Sequence, residues 1–138
     1  MNKDIRWIQR FQNFERAIKL LKEAFERPLE QMNQLEREGI ILRFEYTLEL
    51  GWKTLKDKME SDGIIIDRIS PKFVVKKAFE TKYINDIETW LRMIGDRNLL
   101  SHTYDLSSFD DVLVSIENLY FPLLAEFYKS LLLEIDHQ

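Results

Sequence analysis

Large apolar residues recur along the N-terminal stretch at intervals of 4-3-4-3-4: Trp7, Phe11, Phe14, Ile18, Leu21 and Phe25. Only a helix of ~3.6 residues per turn gathers such a series onto one face, because a strand would alternate its sides. The pattern returns in Ile41, Phe44, Leu48, Trp52, Leu55 and Met59. Two long helices with one-sided apolar faces must bury them against further elements, and short connections make a bundle the economical solution. The chain holds only 4 Gly and 3 Pro in 138 residues. An average chain would hold about 12 % of the two together, so few tight turns are available and a sandwich or barrel is disfavoured. A chain of this length corresponds to one domain, residues 1–138.

The boundaries follow from breaker and capping residues. Pro28 ends the first helix or begins the next turn. A second helix is predicted from about Gln34 to Glu60. Gly51 lies inside it at a cost of ~1 kcal/mol relative to Ala, which a close helix contact would justify. Glu45, Glu49 and Lys53 form an i, i+4 ladder on a neighbouring face, expected to be exposed, with a place lining the interface or the site as the alternative. Ser61-Asp62-Gly63 is a stop, with Gly63 as left-handed cap. Gly63 to Ile69 reads as an extended connector. Ser70-Pro71 then starts a short third helix over Lys72 to Lys82 that buries Val74, Val75, Ala78 and Phe79.

Asn85-Asp86-Ile87-Glu88 reads as a capping box opening a fourth helix, through Ile87, Trp90, Leu91 and Ile94 to about His102. Ser108-Phe109-Asp110-Asp111 starts a fifth, which Pro122 is expected to kink or break before Leu124, Phe127 and Leu131 continue it. The expectation is an all-α, antiparallel up-and-down helical bundle: four main helices plus a short extra helix. Trp52 and Trp90 are expected in packing. Nine Phe, five Tyr and three Trp exceed what one slim bundle needs, so a homodimer with twofold symmetry is expected to bury the surplus.

Composition narrows the setting. Cysteine is absent, which removes disulfides and thiolate metal sites. The N-terminus shows no apolar stretch of the secretory kind. Near the C-terminus the longest uncharged run is Asn118 to Ala125, whereas a membrane span needs ~20 residues. A soluble, cytoplasmic protein with no membrane partner is expected. Net charge is −4, without the global basic signature of a nucleic-acid binder. Locally, Arg68, Lys72, Lys76, Lys77 and Lys82 stand against Glu80 alone, a stretch suited to steering RNA. Asp105, Asp110, Asp111 and Glu117 have no cation among them and suit a basic partner face.

The two histidines are the natural candidates for chemistry. Glu134-Ile135-Asp136-His137 has the Glu-x-x-His spacing of di-iron bundles, but the second copy such a site requires is missing, because Leu99 stands three residues before His102. No metal and no cofactor are expected. His102 closes the segment Arg97-Asn98-Leu99-Leu100-Ser101-His102-Thr103-Tyr104. An imidazole can exchange a proton near neutral pH, and a guanidinium stays charged and grips phosphate. Together they can cleave RNA without metal, with Asn98 and Ser101 orienting a phosphate or the imidazole. At ~100° per residue, Arg97 and Tyr104 fall within ~20° of one face, but Arg97 and His102 lie ~140° apart. Either the helix ends before His102 or the site combines two copies of the chain. On these residues alone a merely polar helix end stays open.

The same segment resembles the R-x4-H-x-Y motif of HEPN-domain toxins of the HepT type. The wider chain resembles the nucleotidyltransferase substrate-binding protein family. The likeness rests on the stretch from Arg43-Phe44-Glu45-Tyr46 to Glu49-Leu50-Gly51-Trp52-Lys53, on Ser70-Pro71-Lys72, and on Trp90 to Ile94 leading into Arg97-Asn98 and Ser101 to Asp105. It implies an all-α homodimer with the motif near the subunit interface, paired with a minimal nucleotidyltransferase. It further implies a metal-independent ribonuclease acting on RNA rather than DNA. Arg97 and His102 would be the catalytic pair, and Tyr104 the residue to which the partner transfers AMP. The family name implies an alternative, a non-catalytic subunit presenting substrate to the nucleotidyltransferase.

Overall fold

The computed structural model describes residues 2–102 and 106–136, with side chains over 5–100 and 107–136. All regular structure among them is helical. The elements are α1 (Asn2–Ala24), α2 (Gln34–Ser61), α3 (Pro71–Glu80), α4 (Ile87–His102), α5 (Leu106–Ser115) and α6 (Phe121–Asp136). A 3-10 turn, Leu29–Gln31, follows Pro28, and a π-helical segment, Ile116–Tyr120, joins α5 to α6. No helix among the described residues is long and apolar enough to cross a membrane.

The two stripes read from the sequence form the centre of the core. Trp7, Phe14, Leu21, Phe44, Leu55 and Met59 are fully buried, and α1 packs along α2. Each such side chain contributes ~1.5–3 kcal/mol on leaving water. The close contact expected at Gly51 is present: a Cβ there would stand 3.2 Å from Phe14 Cε1 and 3.5 Å from Leu124 Cδ2, where α1 and α6 press on α2. Trp52 and Trp90 are both buried. Of the described aromatic residues only Tyr46 and Phe79 are exposed, so most of the aromatic load is absorbed within one chain and gives little reason for a dimer.

Polar contacts fix the helices to one another. Arg10 of α1 meets the buried carboxylate of Asp57 on α2 at 3.0 Å. Lys58 Nζ donates to Asp62 at 2.8 Å, reaches Glu134 of α6 at 3.1 Å, and lies 5.3 Å from the Trp7 ring centroid. Burial pulls the Lys58 pKa down, but its bonds to Asp62 and Glu134 outweigh that and raise it. Glu134 of the Glu-x-x-His spacing is thus engaged in an ion pair, and His137 lies outside the described residues.

Several boundaries differ from the sequence reading. The first helix stops at Ala24, and Pro28 begins the next turn, one of the two roles open to it in the sequence. A capping box opens α2 at Asn33 and Glu36, where the sequence reading places none. The one read at Asn85 and Glu88 is displaced: Asp86 caps α4 by accepting from Thr89 N–H at 3.1 Å. Either Asn85 or Asp86 can cap in principle. Phe79 is 44 % exposed rather than buried. On a helix it falls ~90° from the centre of the stripe made by Val74, Val75 and Ala78. Ser108 lies inside α5, which is described from Leu106.

Pro122 neither breaks nor ends the last helix. The π turn before it lets Phe121 N–H bond Ile116 O, five residues back. That wider turn makes room for a ring that would strike the carbonyl four residues earlier in an α-helix.

Both left-handed caps close their helices alike. After α2, Gly63 (φ 91°) donates to Glu60 O and Ile64 to Met59 O. After α3, Lys82 takes the same place at φ 68°, with Tyr83 N–H bonded to Ala78 O at 2.8 Å. A side chain in that region costs ~1–2 kcal/mol. Lys82→Gly is therefore expected to stabilise the fold by ~1 kcal/mol, raising the thermal midpoint by about 4 °C. A calorimetric midpoint equal to or below that of the parent chain contradicts this account of the cap.

Candidate functional site

The helix α4 carries the segment singled out by the sequence, and α2 supplies what faces it. Arg97 is half-buried, while Asn98 and Leu99 are exposed. Glu49 of α2 is held at both carboxylate oxygens. Trp52 Nε1 donates to Oε2 at 3.1 Å, and Lys53 Nζ pairs with Oε1 at 2.9 Å. Lys53 lies 5.8 Å from the Trp52 ring centroid. Burial pushes the Glu49 pKa up. The hydrogen bonds from Lys53 and Trp52, with the charges of Lys53 and Arg97, outweigh it and hold the carboxyl below its ordinary range. The predicted i, i+4 pair is therefore real but is not the solvated ladder expected. It is a half-buried anchor whose carboxylate feels the Arg97 charge from the neighbouring helix.

A second set of bonds ties α4 to the π segment. Tyr120 is fully buried, its ring stacked on Phe44 with centroids 5.7 Å apart. Its hydroxyl donates to the carboxylate of Asp96, the residue before Arg97. Arg92, one turn earlier on α4, reaches Ser115 Oγ at 3.5 Å. Burial, with Asp96 beside it, pushes the Tyr120 hydroxyl well above the usual phenol range, so it stays a donor. Nothing in the sequence points to this pair, whose members stand 24 residues apart.

The helix α4 runs unbroken through His102. This removes one of the two options left by the spacing: the helix does not end before the histidine. Positions 97 and 102 then lie ~140° apart around one axis. The side chains of Ser101 and His102, and Tyr104 altogether, lie outside the described residues.

Beside Glu49 on α2, Tyr46 and Leu50 line an apolar groove of about 380 Å³ with Ala17 and Leu20 of α1, edged by Arg16 and Arg43. Leu20, Leu35, Leu42 and Tyr46 are 47 %, 78 %, 52 % and 59 % exposed.

Among the described residues every element is helical, and Arg97 stands half-buried on the helix that reaches His102; the class of protein is definite. The chain is a member of the nucleotidyltransferase substrate binding protein like family, whose signature matches residues 9–132. Among curated proteins, it is 34 % identical to the probable ribonuclease HepT of Haemophilus influenzae over 70 residues. That match spans 49 % of this chain and 48 % of the relative, about half the length of each. Among solved structures, a protein from Thermus thermophilus superposes with a TM-score of 0.74 at 34 % identity, covering 86 % of this chain and 98 % of that one. A chain of the toxin–antitoxin MntA-HpeT mutant superposes with a TM-score of 0.71 at 16 % identity, covering 89 % and 94 %, and shows the shared fold.

Proposed function

We propose that this single-domain chain is a metal-independent endoribonuclease, the toxin of a pair whose other member is a minimal nucleotidyltransferase. The reading is carried by Arg97, half-buried beside the anchored Glu49 on a helix that continues to His102. The name of the Haemophilus relative supports it. His102 takes the proton of a ribose 2′-hydroxyl or returns one to the departing 5′-oxygen. The 2′-oxygen bonds phosphorus as the bond to the 5′-oxygen breaks. Arg97 offsets the charge that grows on the phosphorus oxygens, and Asn98 and Ser101 hold the phosphate.

Because positions 97 and 102 diverge on one helix, the pair meets across two copies of the antiparallel bundle. The exposed stripe of Leu35, Leu42 and Tyr46, extended by Leu20, is the face for that homodimer. The partner switches the site off by transferring AMP to the Tyr104 hydroxyl, with release of pyrophosphate. The added phosphate brings negative charge and bulk beside the arginine. The protein acts on RNA in the cytoplasm and needs no cofactor.

The test is expression of the wild-type chain and of His102→Ala, each alone, with cell growth and RNA integrity followed together. The purified proteins are then assayed on RNA in chelator. Arrested growth and cleavage in chelator are expected for the wild type only. Cleavage that chelator abolishes, or that survives His102→Ala, overturns the mechanism. The family description favours a second reading, a non-catalytic subunit that presents substrate to the nucleotidyltransferase. It predicts intact RNA and nucleotide binding that appears only with the partner present.

A further inference from the structure

We infer that the Tyr120 hydroxyl, acting through Asp96, is a positioning group that sets the direction of the Arg97 turn of α4. The inference rests on the ribonuclease reading for its consequence, and on the helix geometry for its substance.

Asp96 and Arg92 are four residues apart on α4 and so share one face. Their partners, Ser115 and Tyr120, are five residues apart. In an α-helix that spacing would separate them by ~140°. They instead bracket the π segment, whose i to i+5 bonding stacks residues five apart on one face. The π turn thus does more than make room for Pro122. It brings Ser115 and Tyr120 into register with Arg92 and Asp96, giving two rungs from α4, one to the end of α5 and one to the end of the π segment.

The upper rung is the rigid one. The Tyr120 ring is clamped against Phe44, and a phenylalanine would fill the same space without bringing a hydroxyl into the core. What the hydroxyl adds is a fixed bond to Asp96, with the Arg92 guanidinium also within its reach on α4. Fixing that carboxylate fixes the rotation of the helix one residue before Arg97. An arginine has many rotamers, and a stationary backbone beneath it narrows the volume its guanidinium explores. Positioning errors of about 1 Å cost ~100-fold in rate.

The test compares the full-length wild type, Tyr120→Phe, Asp96→Leu, Asp96→Asn and a core control, Leu131→Ala, on a short oligoribonucleotide. All are assayed well below their unfolding midpoints. Tyr120→Phe and Asp96→Leu are expected to lower kcat about tenfold or more with KM within about twofold. Asp96→Asn keeps an oxygen that accepts the same bond and is expected within about threefold of wild type. Leu131→Ala loses stability but keeps kcat. Amide exchange over residues 97–100 is expected to quicken about tenfold in Tyr120→Phe and not in Leu131→Ala. Wild-type kcat together with wild-type exchange in Tyr120→Phe overturns the inference. If the wild type leaves RNA intact, the ribonuclease reading falls by itself, and the exchange comparison still upholds or overturns the positioning bond.

Discussion

Arg97→Ala is expected to slow RNA cleavage by the purified chain about 100- to 1,000-fold, measured as initial rates in chelator. The magnitude follows from what the guanidinium does. As the 2′-oxygen attacks, charge accumulates on the non-bridging oxygens, and a preorganised cation beside them stabilises the transition state by ~2.7–4 kcal/mol. Arg97 is suited to this role because it is half-buried and the acid that feels its charge already has partners of its own. Glu49 keeps its bonds from Trp52 at 3.1 Å and Lys53 at 2.9 Å when Arg97 is removed. The substitution therefore leaves the Glu49 carboxylate paired, and the unfolding midpoint should move by no more than a few degrees. Arg97→Lys is expected to recover only part of the lost rate, because an ammonium is a point charge without the bidentate fork. Wild-type cleavage by Arg97→Ala would remove the arginine from the mechanism. A collapse of the midpoint alongside activity would assign it to folding instead.

The helices are legible in the sequence because their signals are local. The stripes in α1 and α2 state their own periodicity, and Gly63 and Ser70-Pro71 announce a stop and a start. Gly51 is legible as a contact, though not which residues it meets. The failures share a different character. Asn85 and Asp86 are equally good caps, and nothing local in the sequence chooses between them. Pro122 signals a disturbance, but whether a helix breaks or widens depends on what α4 and α2 hold in place around it.

The site divides the same way. Arg97 and its spacing to His102 are visible in one line of sequence. The Arg97 charge felt at Glu49, and the Tyr120–Asp96 bond, join residues on different helices whose approach no spacing encodes. Glu49 does leave a trace, since Trp52 and Lys53 sit at i+3 and i+4 where they can reach it. That trace reads equally well as a surface ladder, and only burial tells the two apart.

Mixing two inactive proteins, Arg97→Ala and His102→Ala, is expected to restore about a quarter of wild-type cleavage once subunits exchange. The unbroken course of α4 through His102 is what makes this the decisive experiment on the assembly. If each site takes its arginine from one copy and its histidine from the other, a mixed dimer contains one site with both groups missing and one with both intact. Random exchange makes about half of all dimers mixed, and half of their sites work. If both groups serve the same copy's site, every site in the mixture lacks one of them and the mixture stays silent. Tyr46→Asp, placed in both proteins, adds the control for the proposed face. Tyr46 is 59 % exposed between Leu42 and Leu50, so a carboxylate there faces its own image across a twofold axis without disturbing the core. It is expected to give monomers by sedimentation and to abolish the restored activity. Restoration that persists in monomeric protein, or a mixture that stays silent although mixed dimers form, would place the catalytic pair within one chain.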